Sequence, residues 1–273
     1  MKPDTRKKNG QHGTVAAIVS LFIIIAIVIG LMTAYAKLRE LWLEQCALND
    51  SRTQISVSAG KMVKADAIKD VFGLTNGANL AKIDFAAKRE EVLRKYPTVR
   101  SLSIERHLPD RVSIAIIERE PVVRMNVAGG KSETGRVADA GGVVFPCRRG
   151  TSMLPVIRES SSLPPTACGK PLVGRARAAL RLIDVSLDPA FSSLGILEVD
   201  ISKKDCLSAT LGNYSTALIA WDGMDGDEDD LERIREKLKG LVHAIKARGS
   251  SDNMIWDATL PGEVFARNQG FVK

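Results

Sequence analysis

The sequence predicts an α+β chain: a single N-terminal transmembrane helix, a small β-α-α-β-β domain, then a C-terminal mostly antiparallel β domain with flanking helices. Three observations predict it. Val15 to Ala34 reads VAAIVSLFIIIAIVIGLMTA, with no charged residue. Ser101 to Pro121 reads SLSIERHLPDRVSIAIIEREP, with apolar residues alternating on both sides of Leu108-Pro109-Asp110. From Val122 onward, short β-rich stretches are interrupted by two amphipathic helical patterns.

The N-terminal run comes first. Roughly 20 apolar residues at a rise of ~1.5 Å match the ~30 Å hydrocarbon core of a bilayer. Lys2, Arg6, Lys7 and Lys8 precede it, opposed only by Asp4. The excess of positive charge predicts a cytoplasmic tail at 1–14, a membrane helix at 15–36 and an extracytoplasmic remainder. Ala34-Tyr35-Ala36 has the form of a signal-peptidase site, and a cleaved signal is the competing reading. The run exceeds the ~7–15 residues of a signal core, which favours the uncleaved anchor. The net charge of +7 is partly this tail. The rest is scattered among acidic residues rather than gathered on an aromatic-studded face, which points to membrane lipid and away from nucleic acid.

Residues 37–52 read as a helical linker, with Leu38, Leu41, Trp42 and Leu48 near helical spacing and Lys37, Arg39 and Trp42 at the interface. Within 53–121, Gln54–Ala59 alternates as a strand ended by Gly60. Val63–Phe72 reads as a helix broken by Gly73, Asn76 and Gly77, and Asp84 caps a second helix, Phe85–Lys95, stopped by Pro97. The hairpin follows: Leu102 and Ile104 form one apolar row, Val112, Ile114 and Ile116 the other. Pro109 presets the first corner of its turn, and Pro121 closes the second strand because it cannot donate to a ladder. Within 122–267, strands are predicted at Val122–Val127, Val143–Phe145, Leu194–Ile201, Ala209–Leu211 and Ala217–Trp221, and helices at Gly174–Ser186 and Asp227–Arg248. Arg148–Pro171 reads as a loop. Ile255–Thr259 and Val264–Arg267 form two closing strands about Pro261-Gly262, before a tail at 268–273.

These residues together resemble a known family. The landmarks are Ile55-Ser56-Val57-Ser58-Ala59-Gly60, Gly77-Ala78-Asn79-Leu80 before Ile83-Asp84, Tyr96-Pro97-Thr98-Val99, Arg106-His107-Leu108-Pro109-Asp110 and Ile116-Ile117-Glu118-Arg119-Glu120-Pro121. In this order, just beyond one membrane helix, they resemble the POTRA domain of the FtsQ/DivIB family of bacterial division proteins. Asp139-Ala140-Gly141-Gly142-Val143-Val144-Phe145 and Leu154-Pro155-Val156-Ile157 are similar to the elements that follow in that family. Two positions depart from its pattern: Val57-Ser58-Ala59-Gly60 is one residue longer than V-x-G, and Ala258 stands where arginine is common. The resemblance implies a non-enzymatic, single-pass type II protein of the cell inner membrane at the division site. It implies a scaffold linking early and late division proteins, with FtsB-like and FtsL-like partners at the C-terminal strand and further division proteins at the POTRA-like domain. Through them it would control septal peptidoglycan synthesis.

Little else in the sequence carries chemistry. His107 and His243 are the only histidines outside the N-terminal stub, and no G-x-S-x-G, H-E-x-x-H or S-x-x-K motif is present. No catalytic residue, cofactor or metal site is predicted. The acidic run Asp222, Asp225, Asp227, Glu228, Asp229, Asp230 misses the alternate spacing of a calcium loop and suits the N-terminus of the following helix. Cys46, Cys147, Cys168 and Cys206 include no CxxC; Cys147 and Cys168 flank a Pro/Ser-rich stretch that a disulfide would close, but spacing leaves the pairing open. A last strand with no successor is a template for strand addition. Trp256 and Phe265 would be its aromatic anchors, although periodicity alone favours packing of both inside the domain. The resemblance, which implies partner capture at the C-terminal strand, makes Glu263, Val264, Phe265, Ala266 and Arg267 the predicted partner-binding residues, with Trp256 and Thr259 beside them. A POTRA protein of outer-membrane assembly or secretion would show repeats or a barrel, and a membrane-anchored cell-wall enzyme a titratable cluster; the sequence shows neither.

Overall fold

The computed structural model describes residues 9–58, 60–107, 109–127, 135–162, 164–222, 224, 228–249 and 254–268, without the side chains of 9–18, 51, 52, 228 and 229. The basic residues Lys2, Arg6, Lys7 and Lys8, then Ala59, Leu108 of the turn, Asp225, Asp227 and the tail from 269 lie outside the described residues.

The apolar run belongs to one continuous helix, α1 (Asn9–Gln45), long and apolar enough to cross a membrane. From Val19 to Trp42 its residues are exposed, Phe22, Leu31, Tyr35 and Leu38 among them. The helix continues past the apolar run and stops at Gln45, where a turn and the short α2 (Ser51–Gln54) replace the rest of the predicted linker.

A three-stranded sheet follows in the order β1-β3-β2. Its strands are β1 (Ile55–Ser58), β2 (Val99–His107) and β3 (Arg111–Glu118), with α3 (Ala65–Phe72) and α4 (Phe85–Lys95) between β1 and β2. α3 ends because Gly73 adopts φ 65° and the Leu74 N–H turns back to Lys69 O at 3.0 Å. α4 starts where Asp84 Oδ1 accepts from Ala86 and Ala87 N at 3.1 and 3.0 Å. The alternation read in the sequence is the alternation of burial: Leu102, Val112, Ile114 and Ile116 are all buried. β1 runs parallel to β3, with Ile55 opposite Val112 and Val57 opposite Ile114.

The second sheet has nine strands: β4 (Val123–Val127), β5 (Arg136–Ala138), β6 (Val144–Pro146), β7 (Val156–Glu159), β8 (Glu198–Asp200), β9 (Cys206–Thr210), β10 (Thr216–Ala220), β11 (Met254–Ala258) and β12 (Phe265–Asn268). Their order is β12-β11-β10-β9-β8-β7-β4-β5-β6, and five of the eight pairings are antiparallel. The three parallel pairs need crossovers, and α5 (Arg175–Ser186) and α6 (Glu228–Arg248) supply those before β8 and β11. Ala178, Leu182, Ile234, Leu238 and Leu241 from the helices share one core with Met125, Ile157, Leu207 and Trp256 from the sheet. Leu194–Ile201, predicted as one strand, is a short 3-10 turn at Ser192–Leu194 followed by β8, because Gly195 at φ 53° turns the chain first.

By its internal contacts the chain forms two units, 1–59 with 64–89 and 103–115, and 60–63 with 90–102 and 116–273. In the second unit Glu118 accepts from Lys61, Met62 and Val63 N at 2.8, 2.9 and 2.8 Å. Arg119 donates to Pro97 O at 3.1 Å and to Asp139 Oδ2 at 2.6 Å, while Asp139 Oδ1 holds Val143 N at 2.8 Å.

Candidate functional site: the open edge of the C-terminal sheet

A nine-stranded open sheet has two edges, and this one treats them differently. At one end β6 is three residues long and finishes in Pro146. Its outer side is occupied: Gly169 N donates to Val144 O at 2.7 Å, Val144 N to Lys170 O at 3.0 Å, and Val143 bridges to Pro171. At the other end stands β12, paired on one side with β11 and, among the described residues, with no strand on the other.

The β11–β12 hairpin positions every residue predicted for partner binding. Trp256 faces Ala266 across the pair and is only 1% exposed. It belongs to the core, so it supports the hairpin from beneath rather than presenting a surface, and its Nε1 has no hydrogen-bond partner among the described residues. Val264 and Ala266 are half-buried against the same core. Alternation sends Phe265 and Arg267 to the opposite face, where Phe265 is 49% exposed. Glu263 is exposed in the turn.

That face is organised by a residue the sequence pattern did not single out. Asp257, opposite Phe265, accepts from Thr259 Oγ1 at 2.6 Å and Thr259 N at 3.2 Å, and pairs with Arg267 through its other oxygen. The Thr259 hydroxyl holds the Asp257 carboxyl below the usual carboxylate range, aided by the Thr259 N–H and by Arg267 and against the effect of burial. The D-x-T spacing of an Asx-type turn was the available signal for it.

Beside the hairpin turn lies a groove of about 470 Å³ against α6, lined by Arg233, Lys237, Leu260, Pro261, Glu263 and Val264. Lys237 Nζ donates to Ala220 O at 2.5 Å, and burial lowers its pKa. Asp222 of the acidic run also lines this groove, and Asp230 pairs with Arg233 at 3.8 Å. No group of three or more metal-ligating side chains occurs among the described residues. His107 is exposed 3.8 Å from Glu105, and His243 is exposed on α6. All four cysteines are free thiols.

Comparison with known proteins agrees with this architecture. Residues 51–119 match the family model "POTRA domain, FtsQ-type". The chain is similar to the cell division protein FtsQ of Corynebacterium glutamicum, 30% identical over 76 residues, which is 28% of this chain and 34% of that protein. It is similar to the FtsQ proteins of Neisseria gonorrhoeae and Neisseria meningitidis serogroup B, each 25% identical over 158 residues. Those matches take in 58% of this chain and 55% and 57% of the two relatives, so the chain spans about half their length or less. Residues 51–119 thus form an FtsQ-type POTRA domain, set between the apolar N-terminal helix and the C-terminal sheet of a chain similar to cell division proteins named FtsQ.

Proposed function

We propose that this protein is a non-enzymatic, single-pass scaffold of the bacterial division machinery that captures its partners by strand addition to β12. The observation that carries the reading is the asymmetry of the sheet edges: β6 is covered by the backbone of 169–171, whereas among the described residues no strand pairs with the outer side of β12, where Phe265 is exposed. An extended segment added there gains main-chain hydrogen bonds, and the alternating side chains supply selectivity.

In this reading 1–14 is a cytoplasmic tail, 15–36 spans the inner membrane, and the rest lies in the periplasm as a linker to 52, a POTRA domain to 121 and a β domain to 267. The occupants of the edge are FtsB-like and FtsL-like division proteins, contacted by Glu263, Val264, Phe265, Ala266 and Arg267 over a base formed by Trp256 and Thr259. The POTRA domain contacts other division proteins. Together they link early and late division proteins and control septal peptidoglycan synthesis carried out by others.

The direct test combines Phe265→Asp with Ala266→Pro, which charges the exposed face and removes a backbone donor from the strand. Binding to an FtsB-like peptide, measured by calorimetry, is lost while far-UV circular dichroism is retained. Undiminished binding by the double variant rules out the edge strand. At the cellular level a fluorescent fusion concentrates at midcell; a uniform envelope signal would count against a division role.

A further inference from the structure

The last carbonyls of any helix lack donors within the helix. At the end of α1 one of them, Leu43 O, accepts from Cys46 N in the following turn at 3.1 Å and from the side chain of Asn79, Nδ2, at 2.7 Å. Asn79 is itself fixed, because its Oδ1 accepts from Ala81 N at 3.0 Å. The chain leaving the helix then runs antiparallel to 77–80, with Ala47 bridged to Asn79. Leu80 N donates to Cys46 O at 2.9 Å, Leu48 N to Ala78 O at 2.8 Å and Gly77 N to Leu48 O at 2.7 Å. Cys46, Leu48 and Leu80 are 0, 1 and 0% exposed. Beyond them Gln54 Oε1 accepts from Asn49 and Asp50 N at 2.8 and 2.9 Å, and its Nε2 donates to Asp110 Oδ2 at 2.6 Å. Where a flexible tether would leave backbone groups to water, Leu43, Cys46, Leu48 and Gln54 are each bonded to the loop 77–80 or to Asp110.

Resting on the reading of α1 as a membrane span, we propose that the loop 77–80 is a coupling device: it caps the membrane helix and joins anchor and folded unit without slack. Rotation or tilt of α1, such as packing against another membrane helix would impose, is then delivered to the unit that carries β1 and α3. Residues 37–45 continue the helix, and at ~1.5 Å per residue they set that unit ~14 Å beyond the apolar run.

Hydrogen exchange on the full chain in nanodiscs of phosphatidylethanolamine and phosphatidylglycerol tests this. The amides of Leu48, Gly77 and Leu80 exchange at least ~100-fold more slowly than unstructured peptide. Asn79→Ala speeds Leu48 and Leu80 by about tenfold or more while Val112 and Ile114 in β3 are unchanged. Asn79→Asp keeps the acceptor for Ala81 but cannot donate to Leu43 O, and it gives the same local loss. Unprotected Leu48 and Leu80 in the native chain, or protection untouched by both substitutions, would overturn the coupling. Retention of the chain in the bilayer after alkaline carbonate reports the membrane reading separately. A chain stripped by carbonate overturns both.

Discussion

Glu118 shows how much a single residue in this chain decides. Its carboxylate collects three consecutive backbone N–H groups, from Lys61, Met62 and Val63, in the manner of an anion nest. A side chain at Gly60 would occupy the carboxylate's place, since a Cβ there falls 2.1 Å from Glu118 Cδ. The two landmarks read separately in the sequence, the glycine after the first strand and the Glu-Arg-Glu-Pro at the hairpin's exit, are thus one interaction. Neither residue's partner was legible, because 57 positions separate Lys61 from Glu118. Gly60→Ala is expected to cost about 1–3 kcal/mol through the displaced carboxylate, read as a lower Tm of the full chain in detergent. Arg119→Ala leaves Asp139 buried with no cation and costs about 3 kcal/mol by the same measurement. Asp257 adds a pH dependence whose sign follows from its lowered pKa. The folded state binds fewer protons there than the unfolded state. Its stabilisation is therefore complete above the ordinary carboxylate value of ~4 and is lost as pH falls through the depressed folded value. Stability measured from pH 5 downward shows this loss, and Asp257→Asn flattens that part of the profile.

Among the elements, the β11–β12 hairpin separates buried from exposed side chains by alternation, and in the proposed reading this divides stability from recognition. Trp256→Ala removes a fully buried indole and is expected to destabilise by about 3–5 kcal/mol, with binding lost only through unfolding. Phe265→Ala, on the outer face, changes stability by about 0.5 kcal/mol or less and weakens partner binding. Denaturant titration and calorimetry on the two variants distinguish these outcomes. The hairpin was legible because five-residue alternation and a Pro-Gly turn are local signals. So were α4, which Asp84 and Pro97 delimit, and the pair β2 and β3. β5 and β7 were not read as strands. Each has only three or four residues, Val137 and Ala138 are buried in succession, and such a run carries no period. The linker also escaped the sequence, since Leu48 at helical spacing from Leu41 gives no hint that Leu80 and Ala78 hold it in an extended turn.

For the molecule as a whole, composition and the apolar run announced the class, whereas the order of the second sheet depended on pairings between distant strands. Nothing in β4 identifies β7 as its parallel neighbour, because that choice is made by the common core beneath them. Cysteine reactivity offers a check on this tertiary arrangement. Cys168 is exposed, Cys46 and Cys206 are buried, and burial raises the Cys206 pKa, so its thiolate is scarce at neutral pH. Maleimide on the native chain should modify Cys168 first and Cys46 and Cys206 only after denaturant, as peptide mass spectrometry would resolve. The parallel pairing of β1 with β3 has one more consequence, for the order in which the chain folds. Ile55 must wait for Val112 to emerge before it finds its partner, while the clasp of Cys46 and Leu48 on 77–80 closes over about half that length of chain. A chain being threaded through a membrane would therefore fasten its anchor first and complete the small sheet later, with β1 inserted last beside a hairpin already formed.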